Sequence, residues 1–223
     1  MTLHDGALKG TLPMNQDLKT VQDDLAFLRT IAESGGSRGG IGAAGGALYG
    51  SAGVLYGLQT LTYFAQEKGV ISLGVAGNIV MAWLPTVIFV ILMTIVIAID
   101  RKRPQVGLAN KAMNAAFAGA GLANIALVIV FGAAAARHHD FHYWLFHPAV
   151  VFTLQGAVWY VVFVLRKQVW MLLVSLGWLV SGVALGLLVE QAALYLLVAT
   201  GALFGFMAVP GFHMMRQALR PAA

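Results

Sequence analysis

The stretch AGNIVMAWLPTVIFVILMTIVIAIDRKR, residues 76–103, decides the fold. From Ala76 to Ile99 it carries no charge, and Asp100, Arg101, Lys102 and Arg103 then follow as a block. About twenty apolar residues wound as a helix cross ~30 Å of hydrocarbon, and a basic block at one end marks the cytoplasmic side. Helix is the predicted form, because a segment in lipid must satisfy its own backbone N–H and C=O groups. Barrel strands would alternate in hydropathy about every other residue, and this run does not.

Five further runs of the same kind are predicted, at Ile41 to Ala65, Lys111 to Ala136, Tyr143 to Leu165, Val169 to Leu188 and Ala192 to Phe212. The whole chain of 223 residues is 59% hydrophobic and 10% charged, against roughly 25% charged for a soluble domain. Too little charge is available to cover a water-facing surface. The reading is an all-α membrane protein, a bundle of six transmembrane helices.

Charge placement sets the orientation. With the N-terminus inside, twelve of the 14 Lys and Arg residues fall in the cytoplasm: Lys9, Lys19, Arg29 and Arg38 before the first span, Arg101, Lys102, Arg103 and Lys111 after the second, Arg166 and Lys167 after the fourth, and Arg216 and Arg220 after the sixth. Lys68 and Arg137 fall outside. Basic residues in short loops govern topology, so both termini are expected in the cytoplasm of a bacterial inner membrane. The net charge of +5 is thereby explained without nucleic acid. The expected layout is a cytoplasmic tail (1–40), a six-helix membrane domain (41–212) and a cytoplasmic C-terminal tail (213–223). The tail's acidic residues, Asp5, Asp17, Asp23, Asp24 and Glu33, and its lack of a short apolar core do not read as a signal peptide.

Each predicted hairpin starts and ends inside, so any repeat among the three is parallel. The odd spans share an aromatic followed by small residues, Tyr49 to Val54, Phe117 to Leu122 and Trp178 to Val183. Pro85-Thr86-Val87-Ile88-Phe89 is echoed by Pro148-Ala149-Val150-Val151-Phe152, whereas the sixth span has its proline, Pro210, near the cytoplasmic end.

Two helix faces carry information. Gly46, Gly50, Gly53 and Gly57 form one stripe on the first span, where missing side chains let another backbone approach and supply the contact that lipid does not drive. The partner is a helix of the same chain or of a second copy. Tyr49, Tyr56 and Gln59 share another face of that span, with Asn114 and Asn124 on the third and Gln155 on the fourth. These are either interhelical hydrogen-bonding groups or the lining of a polar path. No ionisable residue stands at mid-depth, which disfavours ion- or proton-coupled pumping.

Chemistry is concentrated in Arg137-His138-His139-Asp140-Phe141-His142-Tyr143-Trp144-Leu145-Phe146-His147. On a helix His138 and His142 share a face and suit a metal ion or haem, with Asp140 as a further ligand. His147 belongs to the same cluster. Protonation sensing and plain anchoring in an aromatic interfacial belt are the competing readings. The chain has no cysteine, which excludes disulfides, thiolate metal sites and cysteine nucleophiles. No nucleophile elbow, zinc-protease helix or phosphate loop is present.

Ahead of the spans, residues 17–34 predict a cytoplasmic amphipathic helix. Leu18, Val21, Leu25 and Leu28 fall at alternating spacings of three and four, and the Gly-rich stretch 35–40 follows as a linker. Its other faces are acidic on balance, unlike the basic face of a lipid-surface helix, and so short a helix needs a partner. Three functional expectations follow. The favoured one is a non-catalytic protein acting by association, as accessory subunit, scaffold or signal-relaying sensor, through a homo-oligomer or a membrane or cytoplasmic protein partner. A small transporter or channel for a neutral solute is second, and a His-based metal or haem protein third.

Overall fold

The computed structural model describes residues 21–29, 43–100 and 108–220, and no strand occurs among them. Residues 21–29 are helical, α1. The remaining elements are α2 (Ala43–Glu67), α3 (Val75–Asp100), α4 (Leu108–His138), α5 (His142–Arg166), α6 (Val169–Leu187), α7 (Ala192–Ala202), a π-helical segment Leu203–Ala208, and α8 (Val209–Leu219). Five of these units are long and apolar enough to cross a membrane: α3, α4, α5, α6 and the continuous rod from Ala192 to Leu219. Lacking the others' aliphatic density, α2 is equally long but carries glycine, tyrosine and glutamine instead.

The boundaries follow local chemistry. At the end of α2, Gly69 takes φ 70°, and the N–H groups of Val70 and Gly69 donate to the carbonyls of Ala65 and Gln66. This paired closure of the last turn needs a left-handed residue, the conformation glycine adopts without penalty. His139 does the same at the end of α4 with φ 51°, and Asp140 N–H reaches Ala135. The rod beginning at Ala192 runs through Leu219, past the expected end at Phe212, because Pro210 sits in the first turn of α8, where a missing N–H costs the new helix little.

Packing does not follow the hairpins. The most extensive pairing joins α5 to α6, and α2 lies along α7, the π-segment and α8. Ser175 donates to the Gly156 carbonyl at 2.7 Å in the buried α5–α6 seam. Trp159 and Trp178 are fully buried there. Peripherally, α3 packs on α2 and α4 on α5, leaving Ile79, Trp83, Ile91, Leu122, Ile125 and Ile129 exposed, as suits lipid.

The glycine stripe of α2 faces the rod of the same chain. A Cβ placed on Gly46 would lie 2.7 Å from the Met215 nitrogen and 2.8 Å from the Gly211 carbonyl oxygen. One placed on Gly53 would lie 2.8 Å from the Leu203 carbonyl oxygen, and Gly50 and Gly57 meet the rings of Phe212 and Phe204 at 3.0 Å. Backbone lies against backbone, so the interface has no slack for a methyl group. Gly46→Ala is expected to destabilise the purified protein by about 1–3 kcal/mol, the range for overpacking, in reversible detergent unfolding. Gly121→Ala, with nothing within 4 Å, is the control and should shift stability by less than about 0.5 kcal/mol; equal effects would show that the stripe is not packed in this way.

Candidate functional site

The polar face of α2 is divided between two neighbours. Deep in the bundle, Tyr49 donates to Gln155 Oε1 at 3.3 Å and accepts from Trp159 Nε1 at 2.8 Å. Its ring packs with Phe117 and Trp159 at centroid distances of 5.7 and 5.8 Å. Further along, Tyr56 donates to Thr86 Oγ1 at 3.3 Å and Gln66 to Asn78 Oδ1 at 3.0 Å. Thr200 of α7 donates to Thr60 at 2.9 Å. The result is a ladder of hydrogen bonds along α2, facing α3 on one side and the α5–α7 core on the other.

Proline explains one of the rungs. It has no N–H, so the carbonyl four residues earlier loses its helical partner, and in hydrocarbon that oxygen must find another donor. Pro85 frees the carbonyl of Met81, and Gln59 Nε2 donates to it at 2.9 Å and to Ala82 at 3.2 Å. Inside the π-segment that runs into Pro210, Trp178 Nε1 donates to the Phe206 carbonyl at 3.1 Å. Near Pro148, Tyr195 donates to the carbonyl of Leu145 at 2.8 Å, next to the Trp144 carbonyl that the proline leaves free. Side chains of neighbouring helices thus reach backbone carbonyls near each of these prolines.

Asn124 lies 2.9 Å from His147 Nε2, so the polar face of α4 meets α5 near the loop that joins them. Asn114 is half-buried in α4, one turn on from Asn110, to which Arg166 donates.

The histidines of the α4–α5 loop are dispersed. His138 stacks on Tyr143 with centroids 4.6 Å apart, and His147 stacks on Trp144 at 4.9 Å. His139 turns the chain. His142 alone sits among carboxylates, with Nδ1 2.8 Å from Asp140 and Nε2 3.6 Å from Glu190. Glu190 belongs to the turn between α6 and α7 and is far from the loop in sequence; nothing in its neighbourhood announced the contact. Among the described residues no group of three His, Asp or Glu side chains is arranged to hold a metal ion. Asp140 is held below the ordinary carboxylate range, first by the backbone N–H of His142 and then by its ring. The α4–α5 loop thus meets the α6–α7 turn through His142 and Glu190.

Of the predicted docking seam, Leu18 and the Gly-rich linker lie outside the described residues. Val21, Leu25 and Leu28 are all more than half exposed, at 53, 59 and 57%. No protein-family model, curated protein or solved structure matches the chain.

Two outcomes are expected. Gln59→Leu should cost about 1 kcal/mol by leaving the freed Met81 carbonyl unpaired, and appreciably less in a Pro85→Ala background, where the helix regains its own N–H donor. Equal costs in both backgrounds, measured as a double-mutant cycle, would disprove the pairing. For the Asp140–His142 contact, a depressed carboxyl contributes above the ordinary carboxylate range and loses its contribution only as pH falls through its own lowered pKa. The His142 amide resonance should accordingly titrate with a midpoint below the ordinary value of about 3.9 and lose that step in Asp140→Asn. A midpoint at or above the ordinary value counts against the contact.

Proposed function

We propose that this chain is a non-catalytic integral membrane protein that works by association, as an accessory subunit, scaffold or signal-relaying sensor. On this reading α2 is a sixth crossing: its 25 residues extend ~37 Å at 1.5 Å each, and its glycine and polar faces are covered by protein. Both termini then lie in the cytoplasm of a bacterial inner membrane, in line with the distribution of Lys and Arg.

One observation carries the proposal. Among the described residues, no buried side-chain nitrogen or oxygen lacks a hydrogen-bond partner. Tyr49, Tyr56, Gln59, Asn124 and Gln155 are bonded across helices. The recesses of about 350 and 270 Å³ lie along α8 and between α2, α3 and α8, and none of those five residues lines them. Polar groups tied to one another specify a fixed bundle, and a solute path would instead need them facing open space. The half-exposed apolar seam of α1 supplies the surface at which association takes place.

The test compares the full chain with a variant lacking residues 1–34 and with Leu25→Glu/Leu28→Glu, all purified in a neutral detergent. Light scattering should show a lower assembled mass, or loss of a stoichiometric partner, for both variants, with helical content per remaining residue unchanged. Unchanged mass together with unchanged partners sinks the proposal, and substrate-dependent uptake by vesicles carrying the full chain would replace it with a transporter.

A further inference from the structure

The rod from Ala192 to Leu219 is irregular in its second half, where the π-segment Leu203–Ala208 runs directly into Pro210. Along this stretch lies a groove of about 350 Å³ lined by Phe204, Ala208, Val209, Phe212, His213 and Arg216. Four of the six are apolar, and the two that are not stand together at one end. From Phe204 to Arg216 the groove extends ~18 Å at 1.5 Å per residue, close to half of a ~30 Å hydrocarbon layer. It is one leaflet deep and headed by a guanidinium.

A second, mainly apolar recess of about 270 Å³ opens between Ser51, Val54 and Leu55 of α2, Ile88 and Leu92 of α3, and Phe212. Phe212 lines both, and its ring is seated on Gly50, where a Cβ would come within 3.0 Å. The ring is thus a fixed partition between two apolar channels. At the headed end His213 Nε2 lies 2.8 Å from Gln217 Nε2, and its ring meets Trp170 edge-on at 5.2 Å. That contact brings the start of α6 to the same end, and Arg166 and Lys167 immediately precede it in the chain.

We propose that this is a binding site for an anionic phospholipid, with its phosphate at Arg216 and its two acyl chains lying on either side of Phe212. Charge complementarity favours an anionic headgroup, and the paired apolar channels favour a two-chain lipid over a free phosphate or a single-chain amphiphile. A basic side chain near anionic lipid contributes about 1 kcal/mol, which corresponds to about fivefold in affinity.

The full chain in a neutral detergent, titrated with phosphatidylglycerol or phosphatidylcholine and read by native mass spectrometry, tests the site. Wild type should retain phosphatidylglycerol about fivefold more tightly than phosphatidylcholine. Arg216→Gln should abolish that preference, Arg216→Lys should keep most of it, and Arg220→Gln, outside the groove, should leave it unchanged. Val209→Trp, at a position 65% exposed, fills the channel and should weaken both lipids; its melting temperature in detergent alone confirms that it folds. Equal retention of the two lipids by wild type overturns the proposal, as do equal effects of Arg216→Gln and Arg220→Gln. Inorganic phosphate displacing the lipid would assign the site to free anion instead and overturn it as well.

Discussion

Everything else in the bundle leans on the contact between α2 and the rod that ends in α8. In lipid, apolar side chains gain nothing by leaving one apolar surface for another, so helices adhere where backbones come close and dispersion contacts are dense. The Gly46 to Gly57 stripe provides such a surface, and Gly211, Ala208 and the Leu203 carbonyl meet it. With α2 fixed there, its remaining faces are aimed: Tyr49 at α5, Thr60 at α7, and Tyr56, Gln59 and Gln66 at α3. A bulkier residue on the stripe would disturb all three sets together.

Much of this architecture was legible in the residues. The fifth span, read as Val169 to Leu188, forms Val169–Leu187, and the second, read as Ala76 to Ile99, forms Val75–Asp100, because long uncharged runs leave few alternatives to helix. The glycine stripe and the Tyr/Gln face of α2 were also readable, since helical spacing alone puts those residues on common faces. Which helix covers each face was not. That depends on shape complementarity between segments distant in sequence, and the hairpin repeat directed attention to sequence neighbours while the tightest pairings, α5 with α6 and α2 with α8, cross between hairpins. The π-segment left no composition signal that a hydropathy reading registers. Gln59 as a carbonyl donor had one, because Pro85 leaves the Met81 carbonyl without its helical partner.

The histidine-bearing α4–α5 loop shows how local spacing misleads. His138 and His142 stand four apart, yet α4 ends at His138 and a left-handed His139 turns the chain, so no single helix presents them together. Aromatic stacking occupies His138 and His147, and His142 takes its partners from Asp140 and from Glu190 across the loop. The histidines tie helix ends together and to the aromatic belt.

The bond between Thr60 and Thr200 joins positions 140 residues apart, and that separation bears on how the bundle is assembled. While the chain emerges, α2 is made long before the π-segment and α8 exist, and its glycine face and polar ladder have only α3 for company. Gln59 can cover the Met81 and Ala82 carbonyls at once, so the α2–α3 hairpin forms early as a self-contained unit. The glycine face must wait for the last rod to dock. Closure of the bundle is therefore a late, long-range event, and until it occurs the glycine face of α2 is left uncovered.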